Sequence, residues 1–274
     1  MNIKIILSIL AIAGIIAISG CVQQTILSTG GLDTRMSFDP PQVFSSRAST
    51  LYIDIENTDD FDYNNLSVDV FSTGSLIISE DCRKSFGTIK PNEIKHLECK
   101  LTAPSASALP ENTQTETVYA RVRFSKRLSG IQNIDMINEE EYTREIQTGR
   151  YATKPSSYTY QDSYLQARVS FSSTPPLIER PGSVSYMYID ITDIGSGFIS
   201  SITQSNFNIV EVQNRGVVSC DVQNTLVPVK GLYPRISCEL RLPSQINYIN
   251  DYTTIINIDY DYELRKSATL TIVR

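Results

Sequence analysis

Hydrophobic and polar residues alternate with a period of two in many short stretches of this chain. Leu51, Ile53 and Ile55 alternate with polar neighbours, which places the apolar side chains on one face of a strand. The same alternation recurs at Leu66 to Val70, at Val118 to Phe124 and at Ile256 to Tyr262. Turn-forming residues separate these stretches, for example Asn64-Asn65, Lys90-Pro91-Asn92 and Leu242-Pro243-Ser244. The pattern predicts an all-β protein built from antiparallel sandwiches.

The pattern occurs twice, at a nearly constant spacing. Tyr52-Ile53-Asp54-Ile55 is matched by Tyr188-Ile189-Asp190-Ile191, at an offset of 136 residues. The offset is 138 between Cys82 and Cys220, and 139 between Cys99 and Cys238. We interpret the chain as a duplication. It predicts one sandwich domain over residues 34–148, a linker over 149–163 and a second sandwich over 164–274.

A short helix is predicted after the first sandwich. Asn138 is a suitable N-cap, and Glu139, Glu140 and Glu141 favour the positive end of a helix dipole. Tyr142 and Ile146 are four residues apart and share one face of that helix.

The linker and the start of the second sandwich are rich in tyrosine, at Tyr151, Tyr158, Tyr160 and Tyr164. Two interpretations stay open. The rings form an exposed aromatic patch for a partner, or they pack between the two domains, which we favour.

The first 21 residues resemble the export signal of a lipoprotein. Lys4 supplies a positive charge, and an apolar run of 14 residues follows from Ile5 to Ile18, which is shorter than a bilayer-spanning helix. The run ends at Ile18-Ser19-Gly20-Cys21, which resembles a lipobox. The resemblance implies a signal peptide over residues 1–20, lipidation of Cys21, a spacer over 21–33, and a location on the extracellular face of the cell membrane. The alternative is an uncleaved signal anchor in which Cys21 is an ordinary thiol.

The other four cysteines form two pairs with similar spacing. Cys82 and Cys99 are 17 residues apart, and Cys220 and Cys238 are 18 apart. In an exported, oxidising environment this favours two disulfides across adjacent strands, each contributing about 3 kcal/mol by closing a loop of that size. A zinc site made by all four cysteines is the alternative, but the chain has no Cys-x-x-Cys motif. Cys21 is left without a partner, which supports its lipidation.

Two segments of the first copy resemble immunoglobulin-like modules of the CARDB type, which occur in archaea and bacteria. They are Phe86-Gly87-Thr88-Ile89-Lys90-Pro91-Asn92-Glu93, with its proline-centred turn, and Cys99-Lys100-Leu101-Thr102-Ala103-Pro104. The resemblance implies an immunoglobulin-like fold for both sandwiches, and together with the isoleucine-rich signal it suggests an archaeal source. The second copy departs from the pattern, because Val229 to Pro234 carries the turn differently.

Composition excludes several functions. The net charge is −6 and there is no long basic run, which argues against nucleic-acid binding. The single histidine, His96, lies in an alternating strand, and no Gly-x-Ser-x-Gly motif occurs. Asp54 and Asp190 match by repeat, but each is expected on its own domain, so a paired-carboxylate glycosidase is disfavoured. We therefore expect neither an enzyme nor a cofactor.

Two weaker site candidates lie in one acidic turn. Asp59, Asp60, Asp62 and Asn64 offer oxygen ligands at spacings similar to those that open an EF-hand, so they form a weak candidate calcium loop. The glycine and the final glutamate of that loop are missing, and a solvated acidic turn is the simpler interpretation. Asn65-Leu66-Ser67 is a glycosylation sequon.

These observations predict a non-enzymatic, membrane-anchored surface lipoprotein that acts as an adhesive, binding or structural module of the envelope. Its expected partners are membrane lipid, through Cys21, and an envelope or surface protein or a glycan. The alternative is an accessory subunit of an envelope machine for secretion, pilus assembly or transport.

Overall fold

The computed structural model describes residues 30–78, 82–199, 201–222, 224–243 and 246–274. The predicted signal peptide and Cys21 lie outside these residues. The described chain is built almost entirely from strands, most of them antiparallel, with one short α-helix after the first copy in this part of the chain. The prediction of an all-β sandwich fold with a short helix is confirmed.

The first copy contains eight strands and the helix α1. They are β1 (Leu32–Asp39), β2 (Gln42–Phe44), β3 (Ala48–Asn57), β4 (Tyr63–Ser72), β5 (Ile77–Ile78), β6 (Arg83–Ile89), β7 (Ile94–Thr102), β8 (Thr113–Asn138) and α1 (Glu139–Gln147). The second copy contains β9 (Ser157–Gln161), β10 (Leu165–Phe171), β11 (Leu177–Glu179), β12 (Ser185–Asp193), β13 (Ile202–Thr203), β14 (Phe207–Glu211), β15 (Val218–Asp221), β16 (Thr225–Leu226), β17 (Ile236–Leu240) and β18 (Tyr248–Val273). Single 3-10 turns occur at Ala106–Ala108 and Gln204–Asn206.

The last strand of each copy is far longer than an ordinary strand. β8 and β18 each have 26 residues, whereas strands of 3–10 residues are usual. They pair antiparallel along their whole length, from Ile137 opposite Tyr248 to Thr113 opposite Val273, with one register shift near Ile249. One central sheet, in the order β14-β18-β8-β4-β6, therefore runs through both copies.

A separate sheet covers each half of the central sheet. In the first copy this sheet has the order β1-β3-β7-β5, and in the second β15-β17-β12-β10-β9. The alternation predicted from the sequence places Leu51, Ile53 and Ile55 of β3 in the core, where all three are fully buried. Buried side chains from both copies form one continuous core.

The two copies are joined more closely than two domains on a linker. β8 begins in the first sandwich and continues into the second, and β18 runs in the opposite direction from the second into the first. Residues 149–163, which we expected to be a linker, contain β9, which pairs with β10 at the edge of the second sandwich. The linker interpretation is wrong for Ser157–Gln161.

The predicted helix cap is confirmed. The Asn138 side chain accepts a hydrogen bond from the Glu141 N–H at 2.8 Å. Tyr142 packs edge-on against Tyr151, with ring centroids 5.0 Å apart, but Ile146 stays half exposed. Of the two residues on the apolar face of α1, only Tyr142 is therefore well packed.

Both predicted disulfides form, but they connect different layers. Cys220 and Cys238 lie opposite each other on the paired strands β15 and β17. Cys82 precedes β6 of the central sheet, and it bonds to Cys99 on β7 of the covering sheet. The expectation of adjacent strands is correct for the second pair and wrong for the first, because β6 pairs with β4 instead of β7.

Candidate functional site

The two copies meet at the middle of the β8–β18 pair. The repeat offset of 136 relates Phe124 to Tyr260 and Lys126 to Tyr262. In the strand register, Phe124 lies opposite Tyr262 and Lys126 opposite Tyr260. A pseudo-two-fold axis therefore passes between these four residues. All four side chains are buried.

Aromatic rings from both copies pack around this axis. The closest contact joins Tyr164, which precedes β10, to Tyr262, with centroids 4.4 Å apart. Phe124 lies 5.0 Å from Tyr63 and 5.1 Å from Tyr164. We call the buried group the junction cluster, and its members are Asp59, Tyr63, Phe124, Lys126, Asp162, Tyr164, Tyr260 and Tyr262.

Two of the four tyrosines named from the sequence thus pack where the copies meet. Tyr164 belongs to the junction cluster, and the Tyr160 side chain lies against Gly130 of β8. Both residues are buried. Tyr158 packs on Phe171 within the second sandwich. The favoured interpretation, packing between the copies, is correct for Tyr160 and Tyr164.

Lys126 is buried within this aromatic group, with only 5% of its side chain exposed. Its Nζ donates to Asp59 Oδ2 at 2.6 Å and to the Tyr63 hydroxyl at 3.1 Å. Asp162 Oδ2 lies 3.8 Å from the same nitrogen, and the Tyr63 ring centroid lies 4.6 Å from it. A buried lysine needs such partners, because removing its charge from water is costly.

Asp59 is held in place by its own turn. The backbone N–H of Asp60 donates to Asp59 Oδ1 at 2.9 Å, and the Tyr63 hydroxyl donates to Oδ2 at 2.8 Å. The Asn57 side chain accepts the N–H of Asp59 at 2.9 Å. The carboxylate is therefore oriented toward Lys126 before β4 begins.

Asp162 reaches the same point from the second copy. Its Oδ1 accepts the backbone N–H groups of Tyr164 at 2.9 Å and Leu165 at 2.8 Å. Its Oδ2 accepts the Tyr260 hydroxyl at 2.6 Å. These three donors fix the position of the Asp162 carboxylate.

The tyrosines of the junction cluster are neutral hydrogen-bond donors. Burial raises the pKa of Tyr164 to about 12. Burial is also the main cause that raises the pKa of Tyr63, Tyr260 and Tyr262. The other polar side chains of the junction cluster are those of Lys126, Asp59 and Asp162.

A cleft opens beside the junction cluster. Its volume is about 400 Å³, and Lys126 and Asp162 lie in its wall. Phe61, Leu128 and Tyr160 supply apolar lining, and Phe61 is 62% exposed. The cleft connects the buried lysine with solvent.

One border of the cleft is a strand edge. On that side of β8, pairing with β4 ends at Ser125, and pairing with β11 starts at Met136. No other described strand pairs with β8 between these points. The Tyr160 hydroxyl donates to the Ile131 carbonyl on this stretch, and a glycine at 130 leaves room for the Tyr160 ring.

His96 is exposed, and Asp54 lies directly opposite it in the β3–β7 register. Asp54 Oδ1 is 2.5 Å from His96 Nδ1, and Glu98 Oε1 is 3.2 Å from Nε2. The hydrogen bond to Asp54 is the main cause that raises the pKa of His96. In the second copy, Asp190 instead pairs with Arg235.

The candidate calcium ligands are not gathered around one point. Asp59 faces Lys126, whereas Asp60 and Asp62 are exposed. The Asn64 side chain accepts the Thr88 hydroxyl at 3.0 Å. Among the described residues, no group of three acidic, histidine or cysteine side chains is placed to hold a metal ion.

The sequon residue Asn65 is exposed and has a positive φ of 53° at an irregular point of β4. Its side chain donates to Ser125 at 3.0 Å. Glycosylation of Asn65 stays a prediction.

Comparison with protein-family models and with curated proteins gave no match. Within the described ranges, no helix has the length and apolar character to cross a bilayer.

Sequence reasoning missed Lys126 and Asp162, which belong to no motif. One signal was present: the inward alternation Val118, Ala120, Val122, Phe124 continues to a lysine. A charged residue at a core position indicates a buried partner.

Proposed function

We propose that this chain is a membrane-anchored surface lipoprotein that serves the envelope as a rigid binding or structural module, without an enzymatic role. The observation that carries the proposal is the long β8–β18 pair, which makes one body of the two sandwich copies. At about 3.3 Å per residue, a 26-residue strand spans about 85 Å. Such a body can hold loops at a set separation.

Polar pairs on the outer face of the central sheet support this rigidity. Arg127 donates to Asp259 through two nitrogens, at 2.6 and 2.9 Å. Arg123 donates to Glu263 at 2.8 Å. These cross-strand pairs flank the pseudo-two-fold axis, where a flexible linker would otherwise allow bending.

The described chain begins beside the junction cluster rather than at an end of the body. The Ser163 hydroxyl donates to the Gly30 carbonyl, and Leu32 N–H donates to the Tyr164 hydroxyl at 2.7 Å. If Cys21 carries the lipid, the nine residues from 21 to 29 reach at most about 30 Å. The tether would then hold the body at its middle and keep both sandwiches near the membrane.

The proposed anchor is tested by lipid labelling in the native host. Wild-type protein should carry radiolabelled lipid and fractionate with membranes, and a Cys21→Ser variant should lose both properties. Ser28→Ala, in the predicted spacer, serves as the control, since it leaves both the signal segment and the thiol unchanged. Equal labelling of wild type and Cys21→Ser would refute the lipoprotein assignment.

The alternative role, an accessory subunit of an envelope machine, is favoured by the stretch of β8 between Ser125 and Met136, with which no described strand pairs on this side. An exposed strand edge beside an apolar cleft can accept an extended segment of a partner protein as an added strand. A photo-crosslinking residue in place of Ser129 should then capture one protein in intact cells. The same residue in place of Tyr119, where β4 covers the edge, should not. Equal capture from both positions would contradict this use of the edge.

A further inference from the structure

Lys126 and Asp59 are placed for more than an ion pair. The Lys126 nitrogen lies 2.6 Å from Asp59 Oδ2, so the carboxyl carbon is one bond further away. An attack on that carbon needs the reacting atoms within about 3–3.5 Å, and this contact holds Nζ beside the carboxyl group. Both side chains are about 95% buried, at 5% and 4% exposed, so little water competes for either group.

We propose that Lys126 and Asp59 join autocatalytically through an intramolecular isopeptide bond, with Asp162 as the group that moves the proton. The bond would link the centre of β8 to the turn before β4. This inference does not rest on the proposed envelope function.

The reaction balances without any co-reactant. A proton passes from the Lys126 ammonium to the Asp59 carboxylate, which leaves a neutral amine beside a carboxylic acid. The amine Nζ attacks Cγ of Asp59, a Cγ–O bond breaks, and the oxygen leaves as water. Of the three ammonium hydrogens, one stays on the amide nitrogen and two leave with the water.

Asp162 is suited to the transfer step. Its Oδ2 lies 3.8 Å from Nζ, and its Oδ1 is fixed by two backbone N–H groups. An ionised Asp162 can accept a proton from the nitrogen as it attacks and return it to the departing oxygen. Tyr63, whose hydroxyl donates to Asp59 Oδ2, can stabilise charge on that oxygen in the tetrahedral intermediate.

The surroundings favour the product over the ion pair. Aromatic rings enclose the lysine, and a neutral amide avoids the cost of holding separated charges there. The cleft in whose wall Lys126 and Asp162 lie gives the released water a path to solvent.

The second copy shows that the fold does not require this pair. The offset of 136 places Tyr262 at the position of Lys126 and Gly195 at that of Asp59. There a neutral tyrosine fills the core, and its hydroxyl accepts the Gly197 N–H at 2.8 Å. Packing at this position is thus possible without a buried charge.

Peptide mapping of the folded, purified protein, after denaturation and reduction, tests the bond. Reduction is needed because the Cys82–Cys99 disulfide would otherwise join a third peptide to residues 48–83. Trypsin should fail to cleave after Lys126, and residues 48–83 should be recovered joined to residues 124–127. The joined mass should be one water below the sum of the two peptides. Separate peptides, with cleavage after Lys126, would show an ion pair only and overturn the proposal.

Variants identify the roles. Lys126→Arg keeps the charge and should abolish the joined peptide. Asp59→Asn should still react, losing ammonia instead of water and giving the same product mass as wild type. Asp162→Asn should slow or prevent the reaction in protein whose circular dichroism matches wild type. An unchanged rate in Asp162→Asn would refute its role, and the wild-type map decides the bond even if a variant fails to fold.

Discussion

At the scale of single residues, the chain uses polar groups in two ways. On the outer faces they form exposed cross-strand pairs, such as His96 with Asp54, which contribute modestly because water competes for them. At the junction, Lys126 and its carboxylates are buried, and each donor or acceptor there must be satisfied by a neighbour. Substitutions on the outer faces should therefore change the free energy of unfolding little, whereas substitutions at the pseudo-two-fold axis should change it strongly.

His96 should titrate above its ordinary pKa of 6.5, chiefly because Asp54 binds its protonated ring. A raised folded pKa adds stability below the unfolded pKa, and this stability is lost as the pH rises through the folded pKa. The imidazole proton signals of this sole histidine give the value directly by NMR. Asp54→Asn should lower the pKa more than Glu98→Gln does, and the reverse order would contradict this assignment.

Tyr164 should stabilise the junction through its hydroxyl as well as its ring. The hydroxyl accepts the buried Leu32 N–H at 2.7 Å, and Tyr164→Phe leaves that donor without its acceptor. We expect a loss of about 1–3 kcal/mol in the free energy of unfolding, measured by urea denaturation. Tyr119→Phe, at an exposed ring, is the matched control. Equal values for the two variants would show that the Tyr164 hydroxyl contributes nothing.

At the scale of elements, β8 joins both sandwiches because of the residues at its midpoint. Inward positions of β8 are apolar from Val118 to Phe124, and then include Lys126, Gly130 and Gln132 before Ile134. These residues interrupt the period-two pattern, so the sequence predicted a shorter strand. Each has a specific neighbour in the structure: Lys126 binds Asp59, and Tyr160 packs against Gly130.

Gly130 should tolerate no larger side chain while Tyr160 is present. A Cβ at position 130 would lie 2.5 Å from the Tyr160 ring, so Gly130→Ala forces β9 away from β8. Overpacking of this kind costs about 1–3 kcal/mol. In a Tyr160→Leu background the same substitution should cost less. Thermal denaturation of the wild type, the two single variants and the double variant gives the coupling free energy between the two positions. Additive effects of the two substitutions would show that residues 130 and 160 are not in contact.

At the scale of the whole molecule, the central sheet makes the two copies one folding unit. Leu128, Ile134 and Met136 belong to the first copy's strand but are buried at the junction and in the second sandwich. Neither copy can bury its last strand without the other. The two copies therefore form a single folded body rather than two separate domains.

Unfolding should accordingly be cooperative across both copies. Ile189 is fully buried on β12, and its replacement by alanine should lower the free energy of unfolding by about 2–5 kcal/mol. Ile189→Ala should speed the slowest amide hydrogen exchange in β3 of the other copy by the same free energy as in β12. Exchange in β3 that stays at the wild-type rate would mean that the copies unfold independently.

The sequence by itself determined the features that depend on local pattern. Strand alternation, the duplication, the Asn138 cap and the pairing of the four described cysteines each follow from residue type and spacing, because period and turn chemistry act over few residues. The tertiary structure alone decided which strands pair. It placed Cys82 across two sheets, extended β8 through the junction and brought Asp162 from the second copy to Lys126. Those contacts join residues far apart in the chain, and their register depends on the packing of the whole core.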